Sequence, residues 1–349
     1  MRSTLALSCI AGCGNSSPGT TPDAAPALMV VTVAGSGGTG TSVDGVGSAA
    51  SFNNAYGIAI SGTSLYVTDV DRIRQVTSES VVTTLAGGEF GWNDGTGPSA
   101  QFDEPYGIAT DAAGTGYVTD QGVDMIRMMT SSGVVTTLAG MAAMSGFLDG
   151  SGAAAQFAIP RGIAVDGTGT VYVADTGNNA IRKITPDGTV STLAGSLEQG
   201  YAEGTGSAAR FDQPAGVAVD GTGNVYVADT YNLRIRKITP DGVVSTLAGD
   251  GQAMNVDGIG ASAEFQLPTA IAIDPSGDKL FVVSGNQIRT VTTATGAVTT
   301  IAGTTGAGWA DGPAALAQFS SPAGLAVAAN GDIFIADTAN HRIRRLYLQ

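Results

Sequence analysis

The chain has 349 residues, 51 of them glycine, and a formal charge of −14 on only 13% charged residues. That acidic balance repels phosphate backbones and argues against nucleic acid as a partner, and the lack of a strict Gly-X-Y period excludes a collagen. One histidine, His341, and two cysteines, Cys9 and Cys13, leave everything beyond residue 13 without a thiol, a disulfide or a Cys/His zinc site.

Residues 1–13, MRSTLALSCIAGC, pair a short positive start with an apolar run. Ile10-Ala11-Gly12-Cys13 resembles the lipobox of bacterial lipoproteins. The resemblance implies cleavage before Cys13, acylation of its sulfur, and a place at the cell envelope, at the outer membrane or its periplasmic face, or secretion. Residues 14–27, GNSSPGTTPDAAPA, read as a tether that builds no core. No run of 18 apolar residues follows, so contact with a membrane is expected only through the lipid anchor.

From residue 28 onward one unit recurs. Its aromatic anchor falls at Phe52, Phe102, Phe157, Phe211, Phe265 and Phe319. Each anchor precedes a P-x-G element or its remnant, such as Pro160-Arg161-Gly162. Four apolar runs rich in β-branched residues then alternate with Gly, Asp and Pro turns. In the third unit these begin at Gly162, Val171, Ile181 and Val190. Such runs predict short strands, and six units of four strands predict an all-β, six-bladed propeller with antiparallel blades.

The element Y-V-A-D-T-x-N-x-x-I-R-K-I-x-P-x-G, at Val171–Gly188 and again at Val225–Gly242, resembles the NHL-repeat family of propellers. The last unit keeps N-H-R-I-R at Asn340–Arg344. That unit lacks a fourth V-x-T-x-A-G strand, and a spare copy, Val30–Gly35, stands at the start of the repeat region. The N-terminal strand should therefore complete blade six and close the ring.

Two acidic series recur. Asp44, Asp94, Asp149, Glu203, Asp257 and Asp311 precede glycines in the long loops; Asp69, Asp120, Asp175, Asp229 and Asp337 follow the second strand, with Ser284 in their place in blade five. They predict an acidic loop-rich face. They bind cations, or they cap turns and pair with the repeated arginines Arg74, Arg127, Arg182, Arg236, Arg289 and Arg344; a residue present in every blade answers a need of every blade.

Individuality lies at the x of P-x-G, placed at the channel mouth: Tyr56, Tyr106, Arg161, Ala215, Thr269 and Ala323. Tyr56, Tyr106 and Arg161 are candidate ligand-binding residues, with Asp103, Glu104 and Asp212 beside them as oxygen donors. Oxygen-only donors suit Ca²⁺ or Mg²⁺ if a metal binds, although no ligand spacing requires one. Phe90, Trp92, Phe147, Tyr201 and Trp309 in the long loops form a partner patch or fold those loops down.

No cysteine nucleophile and no histidine pair exist in the body, so no catalytic residue is assigned. The expected function is a non-catalytic, monomeric binding or scaffold module outside the cytoplasm. It recognises a protein, peptide or glycan through its loop-rich acidic face and needs no cofactor. The alternative is a divalent-metal-dependent hydrolase similar to the gluconolactonase-like six-bladed propellers.

Overall fold

The computed structural model describes residues 27–38 and 40–349. Cys13, the lipobox and residues 14–26 of the tether lie outside the described residues. Six antiparallel sheets follow one another around a central channel. In blade three the strands run outward as Pro160–Val165, Val171–Asp175, Ala180–Ile184 and Thr189–Gly195. The other blades repeat this order, their innermost strands beginning at Ala55, Pro105, Pro214, Pro268 and Gly324.

Each sheet holds five strands rather than the four expected. The fifth is a two-residue segment of the long loop, such as Gly150–Ser151, paired outside the fourth strand. It covers an edge that would otherwise expose unpaired amides and carbonyls. It is too short to show as an apolar run. Its mark in the sequence, in five of the six blades, is an acidic residue followed by G-x-G, whose second glycine turns the chain left-handed (φ near +53° at Gly152 and +56° at Gly206).

Ring closure is as expected. Leu28–Ala34 pairs with Arg342–Leu348 from Leu28↔Leu348 to Ala34↔Ile343, and Gly312–Pro313 pairs outside it. The Asp311 carboxylate also accepts from the Thr32 amide (3.0 Å) and hydroxyl (3.2 Å).

Apolar residues are buried between blades. Ala164 and Tyr172 of blade three meet Phe211, Val217 and Val227 of blade four, and Ala34, Ala336 and Ile343 meet Phe52, Ile58 and Val67 across the closing seam. Each blade is thus too thin to fold alone and is stabilised by its neighbours.

Candidate functional site

The P-x-G element sets the mouth. A Cβ at Gly57, Gly107, Gly162 or Gly324 would strike the carbonyl of the neighbouring blade's x residue, so glycine lets the inner strands converge there. Threonine hydroxyls tie the blades at the same level: Thr68 donates to the Tyr106 carbonyl (2.8 Å), Thr119 to that of Arg161 (2.6 Å) and Thr338 to that of Ala55 (2.6 Å). The x side chains thereby stand on rigid strands.

Three of the predicted site residues come together. The Tyr56 and Tyr106 rings stack with centroids 4.8 Å apart and planes 20° apart. The Arg161 guanidinium lies over the Tyr106 ring at 5.3 Å. Arg161 also donates from Nε to Gln121 Oε1 (3.0 Å), and Gln121 Nε2 donates to Glu104 Oε2 (3.3 Å). This Glu104–Gln121–Arg161 chain fixes the end of the stack. Gln121 escaped the sequence reading because it lies in the loop after the second strand, away from P-x-G.

Burial raises the phenol of Tyr56, the Glu104 charge adding to the effect and Arg161 opposing it; burial likewise raises that of Tyr106. Both therefore stay protonated and able to donate at neutral pH.

Large side chains fill one half of the mouth and small ones the other. The result is a cavity of about 560 Å³ bounded by Tyr56 and Tyr106 on one side and by Thr269, Ser321 and Ala323 on the other. Its volume falls in the range of small-ligand sites, about 300–1,000 Å³. Asn54, at its edge, holds a positive φ of 150°, whereas its counterparts Glu104, Ile159, Gln213, Leu267 and Ser321 lie between 45° and 53°. Its repeat has Ala55 where the other five have proline. Strain of this kind in a non-glycine residue gathers at functional sites.

The other predicted site residues are less well placed. Asp103 flanks Glu104, and burial followed by that neighbouring charge raises its carboxyl. Asp212 stands on blade four, its amide donating to Asp229 Oδ1 (2.9 Å), and it lines no part of the mouth cavity. Among the described residues, no three His, Cys, Asp or Glu side chains converge so as to hold a metal ion.

The repeated carboxylates form an internal framework. In blade three, buried Arg182 donates from Nη1 to Asp175 (2.7 Å) and the Gln156 carbonyl, and from Nη2 to Asp149 (2.8 Å) and the Leu148 carbonyl. Its guanidinium lies 5.1 Å over the Phe157 ring, and corresponding arginine–phenylalanine pairs recur in all six blades at 4.8–5.3 Å. The second acidic series is fully buried, and the aspartates of the first sit half-exposed against arginine. Much of the anticipated acidity of the face is thus neutralised from within.

Blade five compensates for Ser284 with Asn255, whose Oδ1 accepts from the Ser284 hydroxyl (2.5 Å) and from Arg289 (3.3 Å). Tyr201 and Trp309 in the long loops pack under Arg234 and Arg342, each at 4.0 Å, and Phe147 under Arg182 at 5.0 Å. Phe90, Trp92, Tyr201 and Trp309 are all exposed.

Fold and site define a six-bladed β-propeller with an asymmetric channel mouth. Family models match it as a Teneurin NHL domain over residues 198–306 and as NHL repeats over 157–184 and 319–346. The chain carries NHL repeats. NHL repeat-containing protein 2 of Bos taurus is 28% identical over 330 residues, covering 88% of this chain and 40% of that protein. The chain spans less than half the length of the curated relatives it matches.

A Bacteroides thetaiotaomicron protein of unknown function shares the fold with a TM-score of 0.74 at 22% identity, over 93% of this chain and 76% of that one. An auxiliary nutrient binding protein of the same organism does so at 0.69 and 17%, over 93% and 77%. A gluconolactonase of Xanthomonas campestris does so at 0.61 and 14%, over 96% and 99%.

Proposed function

We propose that this protein is a non-catalytic binding module whose ligand enters the channel mouth against Tyr56, held at the cell envelope through acylated Cys13. The observation that carries the reading is the Arg161–Tyr106–Tyr56 stack bordering an open cavity. Its aromatic surface is held rigid before any ligand arrives, which lowers the entropic cost of binding. The fold alone does not separate a binder from a lactonase. What supports the binder is that Glu104 is engaged by Gln121 and that, among the described residues, no three His, Cys, Asp or Glu side chains converge at the cavity.

Calorimetric titration of Ca²⁺ and Mg²⁺ into EDTA-treated protein tests this. No saturable heat and an unchanged melting temperature are expected. A tight site together with lactone hydrolysis would replace the binding module with a metal-dependent hydrolase. Labelled palmitate should enter the wild type and not Cys13→Ala; incorporation that survives the substitution would refute the anchor.

A further inference from the structure

The polar groups lining the mouth cavity share one chemistry. Among the described residues, the Asn54 carboxamide and the hydroxyls of Tyr56, Tyr106, Thr269 and Ser321 make no side-chain hydrogen bond, although this protein otherwise spends its threonine and asparagine side chains freely on internal bonds. All five are neutral, and each can both donate and accept. No charged side chain lines the cavity. An ionised ligand would leave water there without a charged side chain in contact with it, which is costly. A peptide unit carries its donor and its acceptor on separate atoms, whereas a sugar hydroxyl donates and accepts at one oxygen, as the four hydroxyls here do.

The apolar parts of the lining agree. Tyr106 has one face on Tyr56 and the other under Arg161, so the stack can grow only from the outer face of Tyr56. Leu267 and Pro322 supply further apolar lining. An aromatic face combined with neutral hydroxyl and amide groups suits a pyranose ring, whose C–H face is apolar and whose rim is hydroxylated.

We propose that the mouth cavity binds a neutral oligosaccharide, with one pyranose ring seated on Tyr56. This rests on the reading of the mouth as a binding site and specifies its ligand class.

The test is calorimetric titration of the full chain with neutral tri- to pentasaccharides of glucose, mannose, galactose and xylose. Uronic-acid oligosaccharides of the same lengths and a set of unstructured peptides are run in parallel. At least one neutral series should bind. Tyr56→Ala should weaken it about tenfold, as expected for a lost stacking partner, and Tyr56→Phe should weaken it far less. Should Tyr56→Ala disturb folding, Ala323→Arg provides a second probe. Arg161 occupies the equivalent position in blade three, so the fold accommodates arginine there, and in blade six it would fill the cavity and abolish binding.

Tyr56-dependent binding of peptides or uronates, with no neutral sugar bound, would overturn the saccharide and leave the mouth as the site. Saccharide binding unchanged by both substitutions would overturn the mouth as the site. Failure of every neutral series at millimolar concentration would overturn the proposal.

Discussion

Arg182 and its five counterparts are the most constrained residues in the protein. Each is fully buried, and each joins the long loop, the aromatic anchor and, in every blade but the fifth, the carboxylate ending the second strand. Removing one partner of a buried ion pair leaves an uncompensated charge, at a cost of about 3–5 kcal/mol. Arg182→Ala should therefore lose about that much stability in urea denaturation at pH 8. Arg289→Ala should lose clearly less, because its blade carries Ser284 and its one acidic partner, Asp257, is half-exposed. Equal losses would show that buried charge is not what decides the cost.

The same carboxylates set a pH dependence. Burial, outweighing the arginine beside each, pushes Asp120 up to about 7 and Asp175 and Asp229 up to about 6. The unfolded value is about 3.9. A carboxyl whose folded value is the higher one takes up protons on folding, so its contribution favours folding less as pH rises from about 4 to about 7. The melting temperature should fall between pH 5.5 and pH 8, and Asp175→Asn should flatten the slope. A melting temperature that rises over this interval would contradict it.

At the scale of elements, the closing strand and the seam it completes matter most. Deleting residues 28–35 removes the whole pairing with Arg342–Leu348 and should sharply lower the melting temperature; an unchanged melt would refute closure by this strand. The seam also lacks a tie found elsewhere. Asp124, Asn179 and Asn286 each accept from a backbone amide of the next blade, at Ile159 (2.6 Å), Gln213 (2.9 Å) and Ser321 (3.0 Å). The matching residue of blade six is His341, left-handed at φ 54°, whose buried Nδ1 has no partner among the described residues. Its counterpart across the seam is the strained Asn54. His341→Asn suits that backbone better and offers the missing acceptor, so it should add about 1 kcal/mol and a few degrees to the melting temperature. A loss of stability would show that the seam is built around histidine.

Blade number, the four main strands of each blade and closure were legible because the anchor Phe, P-x-G and the apolar runs recur in register; the two-residue fifth strand was not, being too short to show as an apolar run. The arginine framework was half-legible: recurrence marked it as structural and offered pairing with the acidic series, while the burial, and the pairing of Arg74, Arg127, Arg182 and Arg344 with two aspartates each, came only from the coordinates. The stack at the mouth showed as a departure from the repeat at Tyr56, Tyr106 and Arg161. Ser321 and Asn286 did not, since their cavity lies between blades distant in sequence. Reading the repeats one residue before P-x-G would have found Ser321 aligned with Asn54.

At the scale of the whole molecule, sixfold recurrence supplies stability and its local failure supplies a site. Six similar blades build a rigid ring, and unequal side chains at one level open a cavity on one side of its axis. The most direct test is an aromatic NMR titration of ¹³C-tyrosine-labelled protein, with nine tyrosines to observe, using the neutral oligosaccharides. The ring signals of Tyr56 and Tyr106 should move together while those of Tyr201, Tyr231 and Tyr347 stay fixed. Movement of Tyr201 or Tyr231 with Tyr56 unchanged would place the ligand on the outer loops and contradict the mouth as the site.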